Sequence, residues 1–197
     1  IELGFLAEQG RVIAITGTNG KTTTTTLTGE IMKAHFGKDK TFVVGNIGNP
    51  YTLEADKTSK DSVTVGEISS FQLETIHTFH PVVSAILNIT PDHLNRHHTM
   101  EAYVAAKEAV ASQQTKADIC VLNYDNDYTR DFAGRCPATP VLFSSHQELE
   151  NGYFLRGDKI IKSVNGEEHE LMDIHKDMNL VGLCNVENVM AAIAIAE

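Results

Sequence analysis

The chain has 197 residues, 42% of them hydrophobic, and a formal net charge of -10. That length and composition suit one generous domain with a real core, and the acidic balance argues against a general binder of nucleic acid or of anionic membranes. Three cysteines, Cys120, Cys136 and Cys184, are odd in number and lack paired metal spacing, which points away from disulfides and zinc and toward a reducing cytoplasm. No apolar run approaches the ~20 residues of a membrane span, and no signal peptide opens the sequence.

Residues 1–10 read as a lead-in from a missing preceding domain. The run Val12-Ile13-Ala14-Ile15 then predicts a strand ending in Thr16-Gly17-Thr18-Asn19-Gly20-Lys21-Thr22-Thr23. Strand, glycine turn and helix in that order form a phosphate cradle: glycines let backbone N–H groups approach an oligophosphate, the helix aims its positive end at it, and Lys21 adds a charge. Thr22 offers a hydroxyl to magnesium. The loop is two residues shorter than a standard P-loop, with Ile15 where the first glycine would fall, and an ordinary helix start rich in turn residues is the alternative. The threonines beyond Thr23 read as packing a helix under a sheet.

The helix is expected from Thr22 to about Phe36, closed by Gly37. Strands follow at Thr41–Val44, at Val63–Gly66 ending on Glu67, and at Val82–Asn88. A helix through Phe71-Gln72-Leu73 follows Glu67, and a loop through Pro91 precedes a helix from the Thr99 cap to about Ser112. A strand at Asp118–Asn123, a short helix at Asn126–Phe132 and a strand at Pro140–Phe143 come next. From Gly152 the rhythm changes to a hairpin around Gly157-Asp158, so a small antiparallel flap is expected near 152–172 before a last helix from Asn185. The fold class is α/β: a mostly parallel sheet covered by helices on both faces.

In such sheets ligands bind beyond the carboxyl ends of the strands. The phosphate loop, Asn46, Glu67 and His93 all fall there. Glu67 closes an apolar strand where P-loop enzymes place a magnesium-holding acid, although a solvated strand-end glutamate is common. His93 and His97 could form an i,i+4 metal pair, but Pro91 and the Thr99 cap argue for a loop, which favours His93 alone. No role attaches to His35, His77, His80, His146, His169 or His175. Lys107 falls on the apolar stripe of its helix with Met100, Tyr103, Val104, Val110 and Ala111. It must snorkel, pair or be changed chemically; a neutral buried amine can capture carbon dioxide as a carbamate, and snorkelling is the more ordinary outcome.

These residues resemble the Mur ligase family of ATP-dependent peptidoglycan amide ligases. The loop Thr16–Thr22 is similar to the family's short phosphate loop, and Glu67-Ile68-Ser69-Ser70-Phe71-Gln72-Leu73-Glu74 to the matching stretch of its D-glutamate-adding branch. Asn88–Arg96 is similar to the family's histidine segment, and Tyr103–Lys107 falls where the family carries a carbamylated lysine. Gly182-Leu183-Cys184-Asn185-Val186-Glu187-Asn188 resembles its G-x-H-N-x-x-N segment, with Cys184 in place of histidine.

The resemblance runs from Val12 on and covers the family's central, ATP-binding domain, expected here as 11–197, without the domains that hold the UDP end of the substrate and the incoming amino acid. It implies ATP binding by Gly17, Thr18, Asn19, Gly20, Lys21, Thr22, Thr23, Thr24, Asn185 and Asn188. Two magnesium ions are implied, one on Thr22 and Glu67 and one on His93 and carbamylated Lys107, with Lys21, Glu67, His93 and Lys107 catalytic. Asn46, Ser69, Gln72 and His93 are implied substrate contacts. The implied reaction joins D-glutamate to UDP-N-acetylmuramoyl-L-alanine through an acyl phosphate, in a cytoplasmic monomer with no nucleic-acid or membrane partner. A folylpolyglutamate synthase-like ligase, or a nucleotide-binding module inactive by itself, is the alternative.

Overall fold

Alternate residues of the first strand, β1 (Arg11–Thr16), feed two separate cores: Val12 and Ala14 join one cluster, Ile13 and Ile15 the other. A strand apolar on both faces must be covered on both. The computed structural model, which describes residues 1–197, meets this with a nine-stranded sheet and helices packed on each face. The helices are α1 (Glu2–Ala7), α2 (Lys21–Phe36), α3 (Tyr51–Glu54), α4 (Ser70–Leu73), α5 (Leu94–His97), α6 (Met100–Glu108), α7 (Asp127–Ala133), α8 (Ile174–Asp177) and α9 (Leu183–Ala196). The other strands are β2 (Thr41–Gly45), β3 (Val63–Glu67), β4 (Val83–Ile86), β5 (Ile119–Asn123), β6 (Thr139–Ser144), β7 (Gly152–Arg156), β8 (Lys159–Val164) and β9 (Glu167–Asp173). One core gathers Tyr51, Leu73, Tyr103, Val104 and Phe132 from α3, α4, α6 and α7; the other gathers Met32 of α2 with Val186, Val189 and Met190 of α9. No helix is long and apolar enough to cross a membrane.

The strand order is β2-β3-β1-β4-β5-β6-β7-β8-β9, parallel from β2 through β7. The chain runs to one side of β1 for β2 and β3 and to the other for β4, so the carboxyl end of β1 is the topological switch point where such sheets receive ligands. Four expectations are refined. The antiparallel segment exists, but it is no separate flap: β7 pairs in parallel with β6, Phe143 opposite Tyr153, and β8 and β9 extend the same sheet. β4 stops at Ile86 because Leu87 and Asn88 turn to bond the phosphate loop, Leu87 N–H donating to Thr16 and Asn88 C=O accepting from Thr18. The helix after Glu67 is a single turn, and the stretch after Pro91, expected as a loop, contains the single turn α5.

The lead-in is helical and pinned by carboxylates. Glu2 accepts from the N–H groups of His77, Thr78 and Phe79 and from the Thr78 hydroxyl, while Glu8 accepts from the Tyr51 and Thr64 hydroxyls. Burial alone would raise the Glu2 pKa; these donors outweigh it and hold it at about 2, against an ordinary 4.5. A depressed carboxyl contributes its docking energy in full above its unfolded pKa and loses it as pH falls toward the folded one. Acidification from pH 4.5 toward 2 is therefore expected to release α1 ahead of the sheet. Glu2→Gln should do so at neutral pH, read as loss of amide-exchange protection at Thr78 and Phe79; unchanged protection would show that the pin is unimportant.

Candidate active site

From Thr16 the chain turns through Gly17-Thr18-Asn19-Gly20 into the 16-residue helix α2, whose free N–H groups open onto the loop. Gly20 has φ 84°, and a Cβ there would overlap the Asn188 side-chain oxygen, so only glycine lets α9 close onto the loop. From the other side the Asn88 amide clasps Asn19, accepting from its N–H at 2.8 Å and donating to its carbonyl at 3.2 Å. Thr18 Oγ1 donates to Thr90 C=O, accepts from Thr90 N–H, and lies 3.1 Å from the Tyr103 hydroxyl. Lys21 folds back over the turn, its Nζ donating to the carbonyls of Gly17 at 3.0 Å and Thr18 at 2.9 Å. Burial pushes the Lys21 pKa down, while the charges of Glu67 and Asp92 pull it back up.

Glu67, at the carboxyl end of β3, is 2% exposed. Its Oε2 accepts from the Thr22 hydroxyl at 2.8 Å and its Oε1 from the Asn46 amide at 2.9 Å. Asn46 is brought there by Gly45, whose φ of 101° and close approach to the Glu67 carbonyl exclude any side chain. A hydroxyl and a carboxylate in contact beside a phosphate loop are the hard oxygen donors that magnesium takes, so this pair fits the ion.

Lys107 reaches the same place from α6. It is 2% exposed and does not snorkel: Nζ donates to Gly17 C=O at 2.7 Å and sits 4.8 Å from the Tyr103 ring centroid. Burial first, and then the charge of Lys21, push its pKa down to about 7 against the pull of Asp92. A lysine whose pKa is brought down to about 7 carries a substantial free-amine fraction near neutral pH, which fits carbamate formation because only the free amine attacks carbon dioxide. His93 caps α5 with φ 53°, its ring 5.0 Å from that of Phe71 and its Nε2 3.5 Å from Asp92. Lys21, Asn46, Ser69, His93 and Lys107 line one cleft of about 270 Å³.

Other expected residues are placed differently. Ser69 and Gln72 form a reciprocal capping box on α4, with Gln72 Oε1 accepting from Ser69 N–H and Oγ. Ser69 still faces the cleft, whereas Gln72 does not line it. Thr24 is fully buried, its N–H given to Gly20 and its hydroxyl to Asn188, so it braces α2 against α9 and offers nothing to a nucleotide. Asn185 and Asn188 meet on successive turns at the start of α9, Asn188 Nδ2 donating to Asn185 Oδ1 at 3.3 Å. His93 and His97 do not converge as a metal pair, since the Phe71 ring contacts both and His97 turns inward to Ser70. Sequence reasoning passed over Asn88, Asp92 and the Tyr103 hydroxyl; the signal available for Asn88 was the one used for Glu67, a polar residue closing an apolar strand.

A glycine turn from strand to helix, a lysine and threonine on it, and a buried acid on the adjacent strand, all at the switch point of a parallel sheet, define a P-loop type α/β domain. Residues 15–196 match the Mur ligase middle domain, and the chain belongs to that family. UDP-N-acetylmuramoylalanine--D-glutamate ligase of Lachnospira eligens is 57% identical over all 197 residues, and that of Clostridioides difficile 49% over 198 aligned positions; the chain spans 43% of the length of each. Among solved structures, a UDP-N-acetylmuramoyl-L-alanyl-D-glutamate--2,6-diaminopimelate ligase matches with a TM-score of 0.74 at 24% identity, over 96% of this chain and 43% of that one. The MurF ligase of Thermotoga maritima, solved in complex with ADP, matches with a TM-score of 0.64 at 17% identity, over 97% of this chain and 47% of that one. These two similarities speak to the fold.

The packing of α9 on the loop gives a test of the glycine argument. Gly20→Ala is expected to cost about 3 kcal/mol, a left-handed backbone plus an overlap. Gly157→Ala, also at positive φ (57°) but facing open space, should cost about 1 kcal/mol in urea unfolding. Equal costs would mean that Asn188 yields freely.

Proposed function

We propose that this chain is the central, nucleotide-binding portion of a ligase that joins D-glutamate to UDP-N-acetylmuramoyl-L-alanine at the expense of ATP. The observation that carries the reading is the single cleft shared by Lys21, His93 and Lys107 beside the Thr22–Glu67 pair. The names of the relatives, 57% and 49% identical, support the substrate class, and the ADP complex of the Thermotoga maritima neighbour supports the nucleotide. Residues 11–197 would form the middle domain, 1–10 its lead-in, and flanking domains would hold the UDP end of the substrate and the amino acid. Cys120, Cys136 and Cys184 are free thiols, which suits a reducing cytoplasm.

The γ-phosphoryl group of ATP would pass to the substrate carboxylate, giving an acyl phosphate. The amine of D-glutamate would then attack its carbonyl carbon and expel phosphate from a tetrahedral intermediate. The loop N–H groups and Lys21 oppose negative charge as it spreads over the transferred group, with Lys21 released from the Gly17 and Thr18 carbonyls to do so. Thr22 with Glu67, and His93 with carbamylated Lys107, would each hold a magnesium ion, whose chemistry is to neutralise phosphate charge and polarise the acceptor carboxylate. For the carbamate, the neutral Lys107 amine forms an N–C bond to carbon dioxide and loses one proton to solvent, leaving an anionic oxygen pair and an N–H. Asn46 and Ser69, which line the same cleft, would contact the acceptor.

The full-length ligase should release phosphate from ATP with UDP-N-acetylmuramoyl-L-alanine only when D-glutamate is present. Activity on folate substrates instead would point to a folylpolyglutamate synthase, and nucleotide binding without turnover on either would reduce the protein to a binding module. Lys107→Ala should lower turnover about 100-fold, with partial recovery on adding a short carboxylic acid; loss without recovery would count against the carbamate. Because the amine must be neutral, carbamate occupancy should rise with pH through about 7.

A further inference from the structure

α5 is four residues long, and it is bounded by two non-glycine residues of positive φ, His93 at 53° and His98 at 68°. One helical turn cannot hold itself, and such backbone conformations persist only where the surroundings fix them. Of the four α5 side chains only one is buried, His97. Arg96 bonds Glu74, but across an exposed surface where such pairs contribute little.

The His97 ring has a contact on every side. Nε2 lies 2.9 Å from Ser70 Oγ and Nδ1 3.4 Å from Glu74 Oε1, both on or beside α4. The carboxylate favours the proton on Nδ1, which leaves Nε2 to accept from the Ser70 hydroxyl. One face stacks on Phe71, centroids 5.5 Å apart and planes 12° from parallel, and the ring tilts against Tyr103 at 5.1 Å. Phe71 in turn touches the His93 ring, and Tyr103 reaches Thr18 of the phosphate loop.

We infer that His97 is a positioning residue: its buried ring anchors the single turn that carries His93 and ties that turn to the α4 cap and, through Tyr103, to the phosphate loop. The role of His93 in the reaction rests on the function proposed above; the anchoring itself rests on geometry alone. It also accounts for two histidines four apart that do not share an ion: one faces the cleft and the other holds it there.

The test uses the full-length protein, with His97→Leu, His97→Gln and Ser70→Ala. In 13C-histidine NMR without substrates, the His93 ring signal, shifted by Phe71, should move toward the position of free histidine in His97→Leu and remain close to wild type in His97→Gln, whose amide can both accept from Ser70 and donate to Glu74. Turnover in His97→Leu should fall roughly tenfold, the size of one buried hydrogen bond, with the KM for ATP within about twofold, and His97→Gln should recover most of it. An unmoved His93 signal in folded His97→Leu, or equal kcat in His97→Leu and wild type, would overturn the inference. If His97→Leu does not fold, Ser70→Ala decides: it keeps the ring and removes its hydroxyl partner, and an unmoved His93 signal there would overturn it equally. Should the wild type lack ligase activity, the proposed function falls while the NMR arm still decides the positioning role.

Discussion

Two lysine side chains converge on one carbonyl. Lys21 from the start of α2 and Lys107 from α6 both donate to Gly17 C=O, at 3.0 and 2.7 Å, in a partly buried site where burial lowers the proton affinity of both and the charge of Lys21 lowers that of Lys107 further. In a chain of net charge -10 this is a local accumulation of positive charge that only Glu67 and Asp92 offset. A polyanion relieves that repulsion. The same geometry sets the two lysines apart: burial lowers the Lys21 pKa while the carboxylates of Glu67 and Asp92 pull it back up, whereas Lys107, enclosed beside Tyr103 and repelled by Lys21, is pushed down to about 7. One lysine is thereby suited to meet phosphate and the other to become an anion.

The loop that presents this carbonyl is shaped from outside itself. Glycine turns have no intrinsic preference strong enough to fix one conformation. Here the turn is clasped by Asn88 from the end of β4, bolted through Thr18 to Thr90 and Tyr103, and pressed by Asn188 of α9. The strand order makes this possible, because β3 and β4 flank β1 and deliver Glu67 and Asn88 to either side of one loop.

The sheet and the site were legible to different depths, for physical reasons. Strand positions, the long helix α2 and the buried stripe of α6 follow from periodicity, and each was found to within a residue or two. Glu67 was legible because a polar residue ending an apolar strand of a parallel sheet must lie at its ligand-binding edge; His93, expected on the same ground, enters the cleft from the cap of α5, seven residues past the end of β4. What periodicity does not encode is partnership. The Ser-x-x-Gln spacing of Ser69 and Gln72 is a capping-box pattern, but the resemblance assigned both residues to substrate and so hid their bond to each other. Nothing in the threonine run separates Thr22, at the mouth of the loop, from Thr24, sealed against α9. The edge pairing of β7 with β6 was hidden because two residue pairs suffice to join a hairpin to a sheet. The single turn α5 shows no period in its four residues, and Pro91 before it spoke for a loop.

The dependence of the loop on α9 reaches across the chain: Thr24 and Asn188, 164 residues apart in sequence, share a hydrogen bond, and Asn188 is the group that Gly20 must be small enough to admit. Helices α2 and α9 therefore cannot drift independently over their face of the sheet, and the phosphate turn takes its final form only once the last helix has docked. This explains how Cys184 can stand in a segment that otherwise resembles the family's so closely. Its side chain is exposed on the first turn of α9, whereas the brace to the loop runs through Asn188, one turn further in and bonded to Asn185. The position that meets solvent lies outside that contact, and Asn188 carries the constraint on the turn.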